Sequence, residues 1–470
     1  MNSSSSPISL PAQSRAEAAP AASPWPVFWI ASSAVFLVSL DSTLLFAAFS
    51  ALRESFAGHS AAQLSWVLNA YTVVYAAMLI PAGGLADTHG RKRVFLLGGA
   101  LFLLASAACG LASSLPLLVA ARVLQALGAA LLTPASLSLV LGAFPPERRT
   151  VAVSLWGAVS ALAAAVGPSL GSLVTARWGW PWAFFINLPI GALALWRGVR
   201  LLQEQRRPEQ ARRLDLPGMT LLILGVGALT LAIVQAEDPA WQRAELLAVA
   251  GLGLLALLGF VAWARRAREP LLDLALFRQP GYARINLATL AFGSAFAMMF
   301  FAFFFYLRAV WHYSLPLAGL AVTPGPLLVI PVAMLGGRLA ARHGHRPLLL
   351  SGALVYAASG LWFLLVPGLQ PAYLSAWLPG LLLSGVGVGL VLPSLSAAAV
   401  ARLPPTHYAV GSAVNQATRQ IGAVLGVALT VLMLGHGQAQ RADFTPLYAL
   451  HIGLALLTGL LCLRVDTRPR

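Results

Sequence analysis

Apolar residues run through this chain in long blocks, and the polar residues gather between them. Fourteen blocks stand out, at about 27–50, 64–86, 94–112, 116–143, 151–175, 182–203, 217–236, 246–264, 285–307, 317–340, 347–367, 373–401, 408–433 and 446–464. Each is long enough to cross a hydrocarbon core of roughly 30 Å as a helix. None has the ten-residue alternation of a membrane barrel strand. The pattern predicts an all-α membrane protein with fourteen transmembrane helices.

Composition agrees with the pattern. Hydrophobic residues make up 59% of the chain, charged residues 10%, and mean hydropathy is +0.78. A soluble domain carries roughly 25% charged residues, so a soluble enzyme is excluded. The net charge of +16 raises the question of nucleic acid, but its distribution answers it. With the N-terminus in the cytoplasm, 24 Lys and Arg fall in cytoplasmic segments, five outside (Arg53, Arg177, Arg243, Arg308, Arg441) and two in the membrane. That is the positive-inside asymmetry, so the excess charge reports topology. The even helix count then places both termini in the cytoplasm. Residues 1–24 are rich in Ser, Ala and Pro and lack an apolar core, which reads as a disordered tail and not as a signal peptide. Lys92 is the only lysine among many Ala, Arg and Pro; this usage points to a bacterial inner membrane. Cys109 and Cys462 lie toward opposite faces, which argues against a disulfide. His343 and His345 read as a solvated loop. No metal site and no cofactor are expected.

The chain repeats itself weakly. Gly83-Gly84-Leu85-Ala86-Asp87-Thr88-His89-Gly90-Arg91-Lys92-Arg93 follows the second block, and Gly337-Arg338-Leu339-Ala340-Ala341-Arg342-His343-Gly344-His345-Arg346 follows the tenth. Gly128 precedes Pro134 as Gly387 precedes Pro393. Two six-helix repeats with two inserted central helices are implied, and paired repeats around a central site are a transporter pattern. The expected divisions are a tail at 1–24, an N-terminal half at 25–203, the inserted pair with its loops at 204–283, a C-terminal half at 284–464 and a tail at 465–470.

Several patches together are similar to the major facilitator superfamily, and within it to the fourteen-helix drug/proton antiporter branch. They are Leu40-Asp41-x-Thr43, the loop Gly83-x-Leu85-Ala86-Asp87-x-x-Gly90-Arg91-Lys92-Arg93, Arg122-x-x-Gln125, Gly167-Pro168-x-x-Gly171, Phe185-Ile186-Asn187-x-Pro189-x-Gly191 and Arg419-Gln420-x-Gly422. The chain departs from the usual patterns at Thr88, Ala126 and Ser172, and lacks the proline usual near the end of the first motif. The resemblance implies a monomeric proton-coupled exporter of lipophilic small molecules, and not an enzyme. It assigns coupling to Asp41 and Arg122, and a hinge to Gly167, Pro168 and Gly171.

The residues carry their own argument. Asp41 is the one carboxylate among 15 acidic residues that lies deep in an apolar block. A charge there costs several kcal/mol, about 2.5–3.5 on insertion scales. Desolvation favours a carboxylate's neutral form and a nearby arginine its ionised form, so Asp41 with Arg122 reads either as a proton carrier or as a fixed ion pair. Arg122, Gln125, Ala129, Thr133 and Ser136 share one helix face, lining a cavity or a helix contact. Asp87 with Gly83, Gly90, Arg91, Lys92 and Arg93 reads as a gate between the halves, with Glu147 as a partner for Arg91, or as a loop held inside by its charge alone. Tyr71, Tyr75, Asn69, Asn187, Asn415 and Gln416 carry polar atoms that need partners in a dry setting, which makes them cavity candidates. Gly411, Asn415, Thr418, Gly422 and Gly426 share a face. Arg419 either meets an anionic group of a substrate or pairs with carbonyls. Phe292, Phe296, Met299, Phe300, Phe303, Phe304 and Tyr306 form either an adaptable binding wall or a lipid-facing stripe. One deep acid against two deep arginines predicts neutral, monocationic or zwitterionic substrates, with organic anions as a further class. A dedicated exporter of one self-made metabolite, a nutrient importer and a non-transporting sensor are the alternatives.

Overall fold

A computed structural model describes residues 23–145, 148–204, 215–235, 241–403, 408–434 and 440–465. Helices α1 (Trp25–Ser55), α2 (Ala61–His89), α3 (Arg91–Gly110), α4 (Leu115–Ala143) and α5 (Arg149–Trp178) are continuous spans. The sixth is broken into α6 (Trp182–Phe185) and α7 (Asn187–Leu201). Next come α8 (Leu216–Val234), α9 (Arg243–Arg266) and α10 (Tyr282–Ala309). A second broken span follows, α11 (Leu315–Val322) and α12 (Pro324–His343), then α13 (Arg346–Leu365), α14 (Leu378–Val400), α15 (Tyr408–Leu434) and α16 (Phe444–Cys462). Among the described residues thirteen spans are long and apolar enough to cross a bilayer, and α2 adds a further helix of 29 residues.

The two breaks depart from the continuous helices that the apolar pattern predicts over 182–203 and 317–340. Pro324 has no N–H to extend the ladder of α11 and instead opens α12, where the missing donor costs nothing. Pro189 sits in the first turn of α7 for the same reason. The consequence at the first break is local and chemical: Asn187 becomes the first residue of α7 and is fully buried.

Helices α1 to α7 pack on one another, as do α10 to α16, while α8 pairs with α9 and leans on both α2 and α15. The faces left over are apolar. Leu247, Leu252, Leu254, Leu255 and Leu258 of α9 are exposed, which only a lipid surroundings makes favourable. Exposed tryptophans mark both rims: Trp25, Trp29, Trp196 and Trp263 on the side of the basic loops, Trp178 and Trp182 on the other. Indoles favour that interfacial depth.

The aromatic run of α10 does not face lipid. Phe292, Met299, Phe300, Phe303, Phe304 and Tyr306 are all buried. The lipid-stripe expectation fails because α10 forms the inner column of the second half, and only Phe296 of this set is part-exposed. Near the face opposite the basic loops the two halves interlock. Phe46 meets Phe300 and Phe301 at 5.5 and 5.4 Å between ring centroids, and Phe49 meets Phe301 at 4.9 Å. Leu64, Val67 and Leu68 of α2 join Val427, Ala428 and Val431 of α15 in the same cluster. Arg308 lies 3.5 Å from Glu54 at the rim.

Candidate functional site

Asp41 stands in the middle of α1, only 1% exposed. Its Oδ2 accepts from Arg122 Nη1 of α4 at 2.6 Å. Its Oδ1 accepts from Gln125 Nε2 at 2.9 Å and from Asn187 Nδ2 at 3.0 Å. The same two amide nitrogens donate to Ser106 Oγ on α3 at 3.2 and 3.0 Å. Ser106 in turn donates to the Phe184 carbonyl at 2.9 Å. Arg122 also gives Nε to the Val67 carbonyl at 2.9 Å and Nη1 to Gln125 Oε1 at 2.5 Å. Two helices, α4 and α7, thus aim three side-chain N–H donors at the carboxylate of α1, and Ser106 of α3 holds the two amides in place. A carboxylate offers about four lone-pair positions; three are taken, leaving one on Oδ2 beside Arg122.

The three-residue spacing of Arg122 and Gln125 explains part of this. One turn of α4 presents both side chains to α1, and the break at Ile186 swings Asn187 in from the third side. The same face of α4 continues at Thr133, whose hydroxyl is 3.0 Å from that of Tyr75, and at Ser136, which accepts from Trp156 Nε1 at 3.2 Å. The stripe therefore contacts α2 and α5. The Arg122 guanidinium lies over the Tyr71 ring, 4.0 Å from its centroid, and Tyr71 stacks on Tyr75 at 5.9 Å. Beyond Tyr75, across the divide between the halves, stand Gln416 and Arg419 of α15. Asn69 gives Nδ2 to Ser65 Oγ at 3.3 Å, while its Oδ1 is buried without a partner.

Other sequence candidates lie elsewhere. Asn415 donates to Asn286 Oδ1 at 3.2 Å and Thr289 Oγ1 at 2.9 Å, inside the seam between α10 and α15. Gly422 and Gly426 belong to that seam, where added methyl groups would meet backbone atoms of α10. The shared face of Gly411, Asn415, Gly422 and Gly426 is thus a helix contact. Phe296 stacks on Phe300 at 5.8 Å. Gly167 and Gly171 let α5 lie against α1: a methyl at Gly167 would run into Thr43 Oγ1, and one at Gly171 would come within 2.8 Å of Leu44 Cγ. Pro168 offers its carbonyl to Ser172 Oγ at 2.5 Å, and Ser169 bonds Thr323 of the other half.

In the basic loop Gly90 has φ +105°, a conformation that suits glycine. A side chain there would also strike Glu204. Glu204, which the sequence reading passes over, accepts from the backbone N–H groups of Lys92 at 3.1 Å and Arg93 at 3.2 Å. It caps the positive end of α3 and faces Arg93 Nε at 3.7 Å. Lys92 Nζ donates to the Val199 carbonyl at 2.7 Å, and Arg91 Nη1 to the Ser138 carbonyl at 3.1 Å. A methyl at Gly83 would meet only Pro134, at an ordinary 3.8 Å. The side chain of Asp87, and Glu147 altogether, lie outside the described residues. Ser106 is the other member missed. A lone serine in an apolar helix carries no signal of its own, whereas a carboxylate at the end of α7, facing a basic loop, was a readable cue for Glu204.

Comparison with known proteins fits this frame. The chain matches the family description "Major Facilitator Superfamily" over residues 31–427 and 287–470. It is 35% identical over 399 residues to the multidrug resistance protein Stp of Mycobacterium tuberculosis, covering 84% of this chain and 73% of that one. It is 35% identical over 413 residues to the cephamycin export protein CmcT of Amycolatopsis lactamdurans, covering 87% and 84%. Its fold is similar to a crystal structure of the peptide transporter POT in complex with sulfate, with a TM-score of 0.67, 17% identity, and 94% and 93% of the two chains covered. With this match and these relatives, and with sixteen helices in fourteen spans among the described residues, the chain belongs to the major facilitator superfamily.

Proposed function

We propose that the protein is a proton-driven exporter of lipophilic small molecules, working by alternating access as a monomer in a bacterial inner membrane. The basic loops and both termini face the cytoplasm, and the interlocked aromatic face is external. The proton gradient drives the cycle, with no bound cofactor. The names of the relatives, a multidrug resistance protein and an export protein, support the direction of transport.

The observation that carries the reading is the carboxylate of Asp41, 1% exposed and bonded by Arg122, Gln125 and Asn187. Ionised, it holds α1, α4 and α7 together. Protonated, it no longer offsets the charge of Arg122, and the arrangement that suits the ion is no longer the one of lowest energy. A gate at the external face must open for the proton to arrive, because that face is closed by Phe46, Phe49, Phe300 and Phe301. Membrane potential adds about 2.3 kcal/mol per charge per 100 mV. The loop around Asp87 and Arg91, held on one side by Glu204, acts as the cytoplasmic gate. The close approach of Gly167 and Gly171 to α1 acts as the hinge.

A second reading, export of a single self-made compound, is favoured by CmcT, whose name specifies one antibiotic. One experiment addresses the shared core of both. Purified protein is placed in proteoliposomes with an imposed pH gradient, and internal pH is followed while lipophilic compounds and β-lactams are added. Compounds that are exported should discharge the gradient in protein vesicles and not in empty ones. Export that proceeds with no proton flux would end the proposal.

A further inference from the structure

Arg419 is the second arginine inside the membrane, and its surroundings differ from those of Arg122. It sits on α15, eleven residues beyond Tyr408, or about 16 Å along the helix at 1.5 Å per residue. That depth is beyond the reach of lipid headgroups on either side of a ~30 Å core. Its Nε is buried and has no hydrogen-bond partner. Among the described residues no carboxylate is paired with it: Asp41, the acid deep in a span, belongs to Arg122. Near Arg419 the chain sets neutral polar groups, Gln416 from its own helix and the Tyr75 hydroxyl from the other half, and Tyr75 is itself bonded to Thr133. A guanidinium left without a counter-ion in hydrocarbon is costly. A binding site recovers that cost when an anion arrives, because the fork of N–H donors suits a pair of anionic oxygens.

We propose that Arg419, beside Gln416 and Tyr75, is the subsite for an anionic group of the substrate, a carboxylate or sulfonate carried on a lipophilic body. The inference rests on the exporter reading and narrows its substrate class. It also gives the subsite a route to the proton site, since Tyr75 stacks on Tyr71 and Tyr71 lies under Arg122, the partner of Asp41. An anion at Arg419 and the charge of Asp41 stand at the two ends of one short column spanning both halves. Neutralising Asp41 leaves Arg122 as a further uncompensated positive charge on that column. The substrate's negative charge and the proton at Asp41 therefore influence each other through it.

Two probes test this. 8-Anilinonaphthalene-1-sulfonate and N-phenyl-1-naphthylamine share their rings and differ by the sulfonate. Export of each is followed in proteoliposomes with an imposed pH gradient, for wild type, Arg419→Gln and Arg419→Lys. Arg419→Gln should slow the sulfonate roughly ten- to hundredfold, the range for losing a hydrogen bond to a charged group. It should leave the neutral amine within about twofold, which also serves as the control for folding. Arg419→Lys should fall between, keeping the charge and losing the fork. Equal slowing of both probes by both substitutions makes Arg419 a structural residue and overturns the proposal. So does an unchanged sulfonate rate, or a wild type that exports the amine alone; each of these leaves the exporter reading standing. Wild-type protein that moves neither probe in exchange for protons would end both.

Discussion

The two membrane arginines spend the same charge differently. Arg122 is 1% exposed and meets a carboxylate, an amide and a backbone carbonyl. Arg419 is part-exposed and leaves its Nε without a partner. One is neutralised within the fold; the other is available to whatever enters between the halves. A buried charge is therefore not one kind of evidence. Its partner list decides whether it reports the protein's own energetics or those of a ligand.

The largest effect that separates the two should appear in stability. Arg122→Ala strands Asp41 as an unpaired buried carboxylate and should cost about 3–5 kcal/mol, seen as a steep loss of folded protein on heating in detergent. Arg419→Ala should cost no more than about 1 kcal/mol by the same assay. Equal losses would mean that Arg419 is paired in the fold and would erase the contrast.

A comparable contrast sharpens the roles of two glycines. Gly167→Leu drives a side chain into Thr43 and the α1–α5 contact, and overpacking of that kind costs about 1–3 kcal/mol. Transport should fall by roughly tenfold or more. Gly83→Ala adds a methyl that finds ordinary contact with Pro134, and the transport rate should stay within about twofold. A Gly83→Ala variant as damaged as the first would show that the gate needs more room in another state than it has in this one. The smallest effect belongs to Glu204. Removing the cap with Glu204→Ala should cost about 0.3–1 kcal/mol at the start of α3, read as a melting shift of roughly one degree or less. No shift would make the carboxylate incidental.

Much of this was legible in the residues. The apolar blocks set the spans, and Asp41 and Arg122 stood out because charge in hydrocarbon is rare. Their contact was not legible, since residues 81 positions apart meet only through tertiary packing. The break at Ile186 was hidden because a proline in the first turn of a helix leaves the hydrophobic run intact. The lipid-facing alternative for α10 failed for a related reason. A helix that is apolar on all sides can face lipid or protein, and periodicity does not distinguish them. The glycines were legible as close contacts, but which ones touch required the neighbours: Gly167 meets α1, while Gly83 has space. One acid against two arginines announced an excess positive charge, and the contact that gives the acid to Arg122 is seen only in the structure.

The central claim is that Asp41 carries the proton. Its most direct test is proton movement by Asp41→Asn beside wild type, in proteoliposomes with an imposed pH gradient and a compound that both proteins bind. The asparagine keeps the shape and can no longer ionise. The account predicts that the compound discharges the gradient through wild type and leaves it intact with the variant. A variant that exchanges protons as fast as wild type would make the Asp41–Arg122 pair a fixed brace and move the proton to another residue.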